Sequence, residues 1–122
     1  MKSDTLLLRQ IHPGFVQNGR PTSQAFRPTL KDESQLSVYN GTLITAKASW
    51  HHYTETLSLE SAGVMALSHA ECVSEQLKVI EDPIPFPEHC SIDFSGLKKS
   101  EIDKKSKKLA AFAKARDWLF VR

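Results

Sequence analysis

Ala62-Gly63-Val64-Met65-Ala66-Leu67-Ser68-His69-Ala70-Glu71 is the stretch that decides the fold class of this chain. Its first six residues form an apolar run. A core helix needs roughly 10–12 residues, so a run this short reads as a buried strand. The next four match a capping box. In that motif the Ser68 hydroxyl accepts from the amide three residues on, and the Glu71 carboxylate accepts from the Ser68 amide. A strand therefore feeds directly into a helix, predicted to end near Gln76.

Downstream, Leu77 to Ile80 reads as the next strand. Prolines at 83, 85 and 87 follow. Proline fixes φ and supplies no amide, so Asp82 to Pro87 is expected to be a stiff, extended connector. From His89 to Phe94 the pattern alternates, with Cys90, Ile92 and Phe94 on one side and Ser91 and Asp93 on the other. That predicts a half-buried strand. Ser100 is the expected N-cap of a long helix, with Glu101 and Asp103 in the first turn, where the helix dipole favours acids. This helix should run to about Asp117 with Ile102, Leu109, Phe112 and Ala113 as its apolar stripe. Trp118 to Val121 is rich enough in apolar residues to pack as a final strand.

Upstream, Thr45 is a plausible N-cap. Ala46, Trp50, Tyr53 and Leu57 follow at spacings of four, three and four, which mark one helical face ending near Thr56 or Leu57. Leu36 to Tyr39 alternates as a strand and is closed by Asn40-Gly41. Lys31 to Ser34 reads as a solvated turn. Leu6, Leu8 and Ile11 suggest an opening strand, broken by His12-Pro13-Gly14. Phe15-Val16 resumes briefly, and Asn18-Gly19 is a turn dipeptide because both residues accept positive φ. Arg20 to Pro28 should be a structured loop around Ala25-Phe26. The tally is four to six strands and three helices. It predicts a single α+β domain over residues 1–122, with a mixed or mostly antiparallel sheet and a basic C-terminal helix.

Bulk composition agrees with that reading. A chain of 122 residues with 40% apolar and 25% charged residues is the size and make-up of one globular domain. No stretch approaches the ~20 apolar residues of a membrane helix, and no membrane partner is expected. The three leucines after Lys2 are stopped by Arg9, too early for the apolar region of an export signal. Cys72 and Cys90 fit no framework, so they are expected as free thiols in a reducing, cytoplasmic setting. The net charge of +2 is unevenly spread: residues 1–61 carry +1, residues 62–97 carry −5 and residues 98–122 carry +6.

Four constellations bear on function. The first is the basic C-terminal helix, where Lys104, Lys107, Lys108 and Lys114 are expected opposite the apolar stripe, preceded by Lys98 and Lys99. Such a face could neutralise phosphates. It lacks the arginine that bidentate phosphate recognition prefers and the aromatic that base stacking needs. A solvated face, or one meeting a protein partner, is therefore favoured over nucleic acid. The second is the N-terminal loop, where Arg9, His12, Arg20, Ser23 and Arg27, with Gln24 and Ser37 nearby, could shape an anion pocket. These residues match no phosphate-loop, nucleophile-elbow or dinucleotide motif. Bracing of the loop's own backbone is the competing use.

Metal ligands and acids make up the other two. His51 and His52 are adjacent on a helix and point roughly 100° apart, so they cannot share a metal. Cys72, Cys90, His69 and His89 make a set zinc would accept, but their spacing does not demand it, and neither metal nor cofactor is expected. Asp93 and the Glu81-Asp82 pair are the obvious acids, read first as strand-edge and turn residues. The function expected from these features is a small accessory protein that binds a protein partner. The alternative is a small enzyme or binding module for a nucleotide, phosphate or nucleic acid, using the Arg/His loop.

Overall fold

The computed structural model describes residues 1–28 and 34–122. The expected turn at Lys31 to Ser34 falls, apart from Ser34, outside the described residues. Strand β1 (Leu6–Ile11) leads into a 3-10 turn (Pro13–Phe15) and the two-residue strands β2 (Val16–Gln17) and β3 (Arg20–Pro21). A second 3-10 turn (Ser23–Phe26) precedes β4 (Gln35–Asn40). Helix α1 (Ala46–His51) continues as a π-turn (His52–Thr56). Then come β5 (Gly63–Ser68), α2 (His69–Ser74), β6 (Lys78–Glu81), β7 (His89–Asp93), α3 (Lys99–Arg116) and β8 (Phe120–Val121).

Six strands form one sheet in the order β6-β7-β4-β1-β5-β8, and every pairing is antiparallel. The other two, β2 and β3, form a small hairpin. Its two-residue turn is Asn18-Gly19, with φ of 52° and 74°, the primed-turn geometry that matches strand twist. The architecture is thus α+β, as the alternating strand and helix signals require.

Side-chain alternation divides the core in two. Leu7 and Ile11 of β1 face a large cluster with Phe26, Leu36, Val38, Met65, Leu67, Ile92, Phe94 and, from α3, Leu109, Ala110 and Ala113. Leu8 faces the other way, with Tyr39, Val64 and Ala66, under Trp50, Tyr53 and Phe86. Register explains the second grouping, since Leu8 lies opposite both Tyr39 and Ala66. On the α2–α3 side, α3 packs over the larger cluster. The α1 side is covered partly by the α1–π-turn segment and partly by the proline connector.

Both capping-box bonds form at α2: Glu71 N–H donates to Ser68 Oγ at 3.0 Å, and Ser68 N–H to Glu71 Oε1 at 2.8 Å. The helix ends at Ser74, and the chain turns away from it at Gln76, whose φ is 60°. Arg116, at the end of α3, donates to both Glu71 oxygens at 2.8 and 3.1 Å. Burial alone would raise the Glu71 pKa, but the hydrogen bonds from Arg116 and from Ser68, with the Arg116 charge, hold it below the ordinary value. A depressed native pKa gives stability that is complete above the unfolded value of about 4.3 and is lost as pH falls through the native value. Glu71→Gln is therefore expected to cost about 1–2 kcal/mol at pH 7 and much less at pH 2–3. Urea unfolding at the two pH values measures this, and an equal cost at both would refute it.

Three expectations are corrected. Helix α3 begins at Lys99 with Lys98 as N-cap, so Ser100 lies inside the first turn. The chain reverses at Gly96, φ 79°, and the Glu101 carboxylate accepts from the Lys98 amide at 3.2 Å, which sets the start earlier. Strand β7 is buried on both faces rather than one, because His89 and Ser91 lie under the connector side of the sheet. The closing strand is shorter than its apolar run: only Phe120 and Val121 pair with β5.

Candidate functional site

On the α1 side, the sheet is left open between the π-turn and the proline connector. There lies a cleft of about 440 Å³. Arg9 and Gln10 of β1, Ser37 and Tyr39 of β4 and His89 of β7 line it from the sheet. Tyr53, Leu57 and Leu59 form one wall, and Pro85 and Phe86 the other. Apolar walls with a few converging polar groups are the usual make-up of a small-molecule site.

Each wall has a local cause. The α1 helix loosens to π geometry at His52, and such turns recur at functional sites. The turn puts His52 Nδ1 2.8 Å from the Tyr39 hydroxyl and leaves Tyr53 half-buried at the cleft. His51 points away to Glu55, as adjacent helical positions require. In the connector, the prolines hold Phe86 over the sheet, stacked on Tyr39 at 4.9 Å and edge-on to His89 at 5.2 Å. Burial, aided by the charges of Tyr53 and Glu88, raises the Tyr39 phenol well above its ordinary pKa, so this floor group stays protonated.

The floor is polar and ordered. Gln10, 5% exposed, donates to Ser49 Oγ at 2.9 Å and accepts from Ser61 Oγ at 2.8 Å. His89 is held at both nitrogens: Nε2 is 3.1 Å from Ser37 Oγ, and Nδ1 is 3.0 Å from the Asp82 carbonyl. The Asp82 carboxylate lies 3.6 Å from Nδ1. Ser37 itself is exposed.

The five residues expected to shape an anion pocket do not come together in one place. Arg9 lines the cleft and shares a neighbouring depression with His12, Gly14, Phe15 and Tyr53. Its guanidinium donates to the Ala25 carbonyl at 2.8 Å and the Ser37 carbonyl at 2.9 Å. His12 accepts from the Gly14 amide at 2.9 Å and so caps the first 3-10 turn. Arg20 lines a smaller pocket with Lys114, Asp117 and Trp118 on the α3 side. Arg27 pairs with Asp103 of α3. Ser23 is the first residue of the second 3-10 turn.

On α3, Lys104, Lys107 and Lys108 are exposed, while Lys114 is half-buried beside the Arg20 pocket. Lys105 donates to the Glu75 carbonyl. Cys72 and Cys90 are buried and unpaired with each other. Burial, with help from Glu71, pushes the Cys72 thiol up to about 12; burial with Glu81 and Asp82 pushes Cys90 up to about 11. Neither is a nucleophile near neutrality. Among the described residues, no three His, Cys, Asp or Glu side chains are placed to hold a metal ion. Asp93 bonds the amide and hydroxyl of Ser95, a local turn role. No helix among the described residues is long and apolar enough to cross a membrane.

No family of proteins, curated protein or solved structure matches the chain.

Proposed function

We propose that this chain binds a small organic ligand with an aromatic or apolar part in the cleft between the π-turn and the proline connector. The observation that carries the reading is the convergence there of Tyr53, Leu57, Pro85 and Phe86 on a floor of Ser37, His89, Gln10 and Arg9. Apolar contact would supply affinity, and the floor's hydroxyl, imidazole and guanidinium would set orientation. Arg9 adds positive charge to this floor, which would suit a ligand carrying a carboxylate.

A panel of one-ring aryl esters, amides and carboxylates tests it by thermal shift and protein NMR. Members that bind should raise the melting temperature, by an amount that grows with concentration. Their nuclear Overhauser contacts should fall on Tyr53 and Phe86. Leu57→Trp, placed on the exposed wall to fill the cleft, should abolish both effects. A panel without a single binder, or contacts elsewhere on the surface, would refute the reading.

A second reading is favoured by the rim. Leu57, Leu59 and Ile84 are 38%, 49% and 88% exposed, an apolar edge suited to a protein partner's side chain inserted in the cleft. This would be a protein-partner function of the kind expected from the sequence, proposed here for the cleft's rim.

A further inference from the structure

We propose that the cleft also performs acyl transfer, with Ser37 as nucleophile and His89 as its general base. This rests on the small-ligand reading of the same cleft and adds a reaction and a substrate class, small esters with an aryl or apolar acyl or alcohol part.

The protonation pattern follows from the geometry. Nδ1 of His89 is 3.0 Å from the Asp82 carbonyl oxygen. A carbonyl only accepts, so Nδ1 carries the hydrogen. In the neutral ring, Nε2 then holds a lone pair. The Ser37 hydroxyl, 3.1 Å away, is consequently the donor. That is the arrangement a serine nucleophile needs: a base in hydrogen-bond reach, oriented by a third group. The Asp82 carboxylate, 3.6 Å from Nδ1, is placed to favour the imidazolium that forms when the proton arrives. The His89 side chain is only 10% exposed, so the base is held while the Ser37 hydroxyl stays open to the cleft. Arg9 brings a positive charge to the same place, anchored 2.9 Å from the Ser37 carbonyl.

The step balances without a cofactor. Ser37 Oγ bonds to the ester carbonyl carbon as its proton passes to His89 Nε2. The tetrahedral oxyanion collapses, the bond to the alcohol oxygen breaks, and His89 returns the proton to that oxygen. Water, deprotonated by His89, then cleaves the Ser37 ester and releases the acid. The net reaction is ester plus water to acid plus alcohol.

An alkyl fluorophosphonate, which phosphonylates activated serines, and p-nitrophenyl acetate are the probes, used on the full chain. The expected result is one phosphonyl group, mapped to the peptide containing Ser37. Labelling should vanish in Ser37→Ala and slow by about 10²- to 10⁴-fold in His89→Gln, the range of general-base contributions. Circular dichroism shows that each variant is folded; if His89→Gln is not, Asp82→Asn replaces it and should slow labelling by about tenfold or more. Ser37 is exposed, so Ser37→Ala should fold and melt as the unmodified chain does. Intact amide binding with no label on Ser37 would overturn the acyl-transfer proposal and leave the cleft reading standing. Labelling at another residue, or at an unchanged rate without the His89 base, would overturn it as well. Loss of amide binding in the unmodified chain would bring down both.

Discussion

Phe26→Ala is expected to destabilise the chain by about 3–5 kcal/mol, the usual cost of emptying a fully buried phenylalanine site. Phe26 has no exposed surface and sits in the larger core cluster with Leu109, Ala110 and Ala113 of α3. It belongs to a four-residue 3-10 turn, which has little regular hydrogen bonding to hold its place. The turn's position therefore depends on this anchor. The site cannot refill easily, because its neighbours come from the sheet and from an 18-residue helix whose ends are fixed elsewhere. Urea unfolding gives the loss directly, and the melting temperature should fall by on the order of 10–20 °C. A loss under about 1 kcal/mol would mean that the turn is not part of the cooperative core.

The prominence of Phe26 was half legible in the sequence. A loop holding Ala25-Phe26 between prolines reads as structured, but nothing local says that α3 is what it packs on. The same division runs through the molecule. Signals confined to a few residues translate directly: the Ser68–Glu71 capping box, the Asn18-Gly19 turn, and the alternation that points Cys90, Ile92 and Phe94 to one side. Helix α3 was legible as a helix but not in its first residue, since the reversal at Gly96 competes with Ser100 as a start signal. The cleft's central pair was not legible. Ser37 and His89 are 52 positions apart and meet only because β4 and β7 pair with Tyr39 opposite His89 and Ser37 opposite Ser91. No spacing rule encodes a register between distant strands. The one available clue was type and place: a histidine soon after a proline-rich connector, and a serine between Leu36 and Val38. Arg9 meets the same limit: a cation in a polar stretch reads as open to an outside anion, and the carbonyls it serves within the chain, those of Ala25 and Ser37, lie 16 and 28 positions away.

Arg9→Met should be nearly as damaging as the loss of Phe26, at about 2–4 kcal/mol. Paired ladder residues between β1 and β4 are Leu7 with Asn40 and Leu8 with Tyr39. At the next position along β1, the Arg9 guanidinium reaches the Ser37 carbonyl of β4 and, from Nε, the Ala25 carbonyl of the second 3-10 turn. One side chain thus ties β1 to a strand and to a loop. Methionine keeps the stem's packing and removes the guanidinium that makes both bonds. Hydrogen bonds from a charged group contribute about 1.5–3 kcal/mol each, and a buried acceptor left bare costs about 1–3 kcal/mol. Ala25 is 1% exposed, so its carbonyl would be poorly served by water. Lysine has a point charge in place of a fork and can serve one carbonyl well but not both. Arg9→Lys is accordingly expected to lose about half as much as Arg9→Met. Urea unfolding of the two variants gives the ratio. Phosphate decides which use of the residue dominates. If Arg9 chiefly braces the backbone, the Met variant is destabilised equally with and without phosphate. If it chiefly waits for an anion, the unmodified chain gains stability with phosphate, the variant does not, and the loss in plain buffer stays below about 1 kcal/mol. The two distances from one guanidinium to two carbonyls favour the first outcome, and with it a Ser37 whose position in the cleft depends on Arg9.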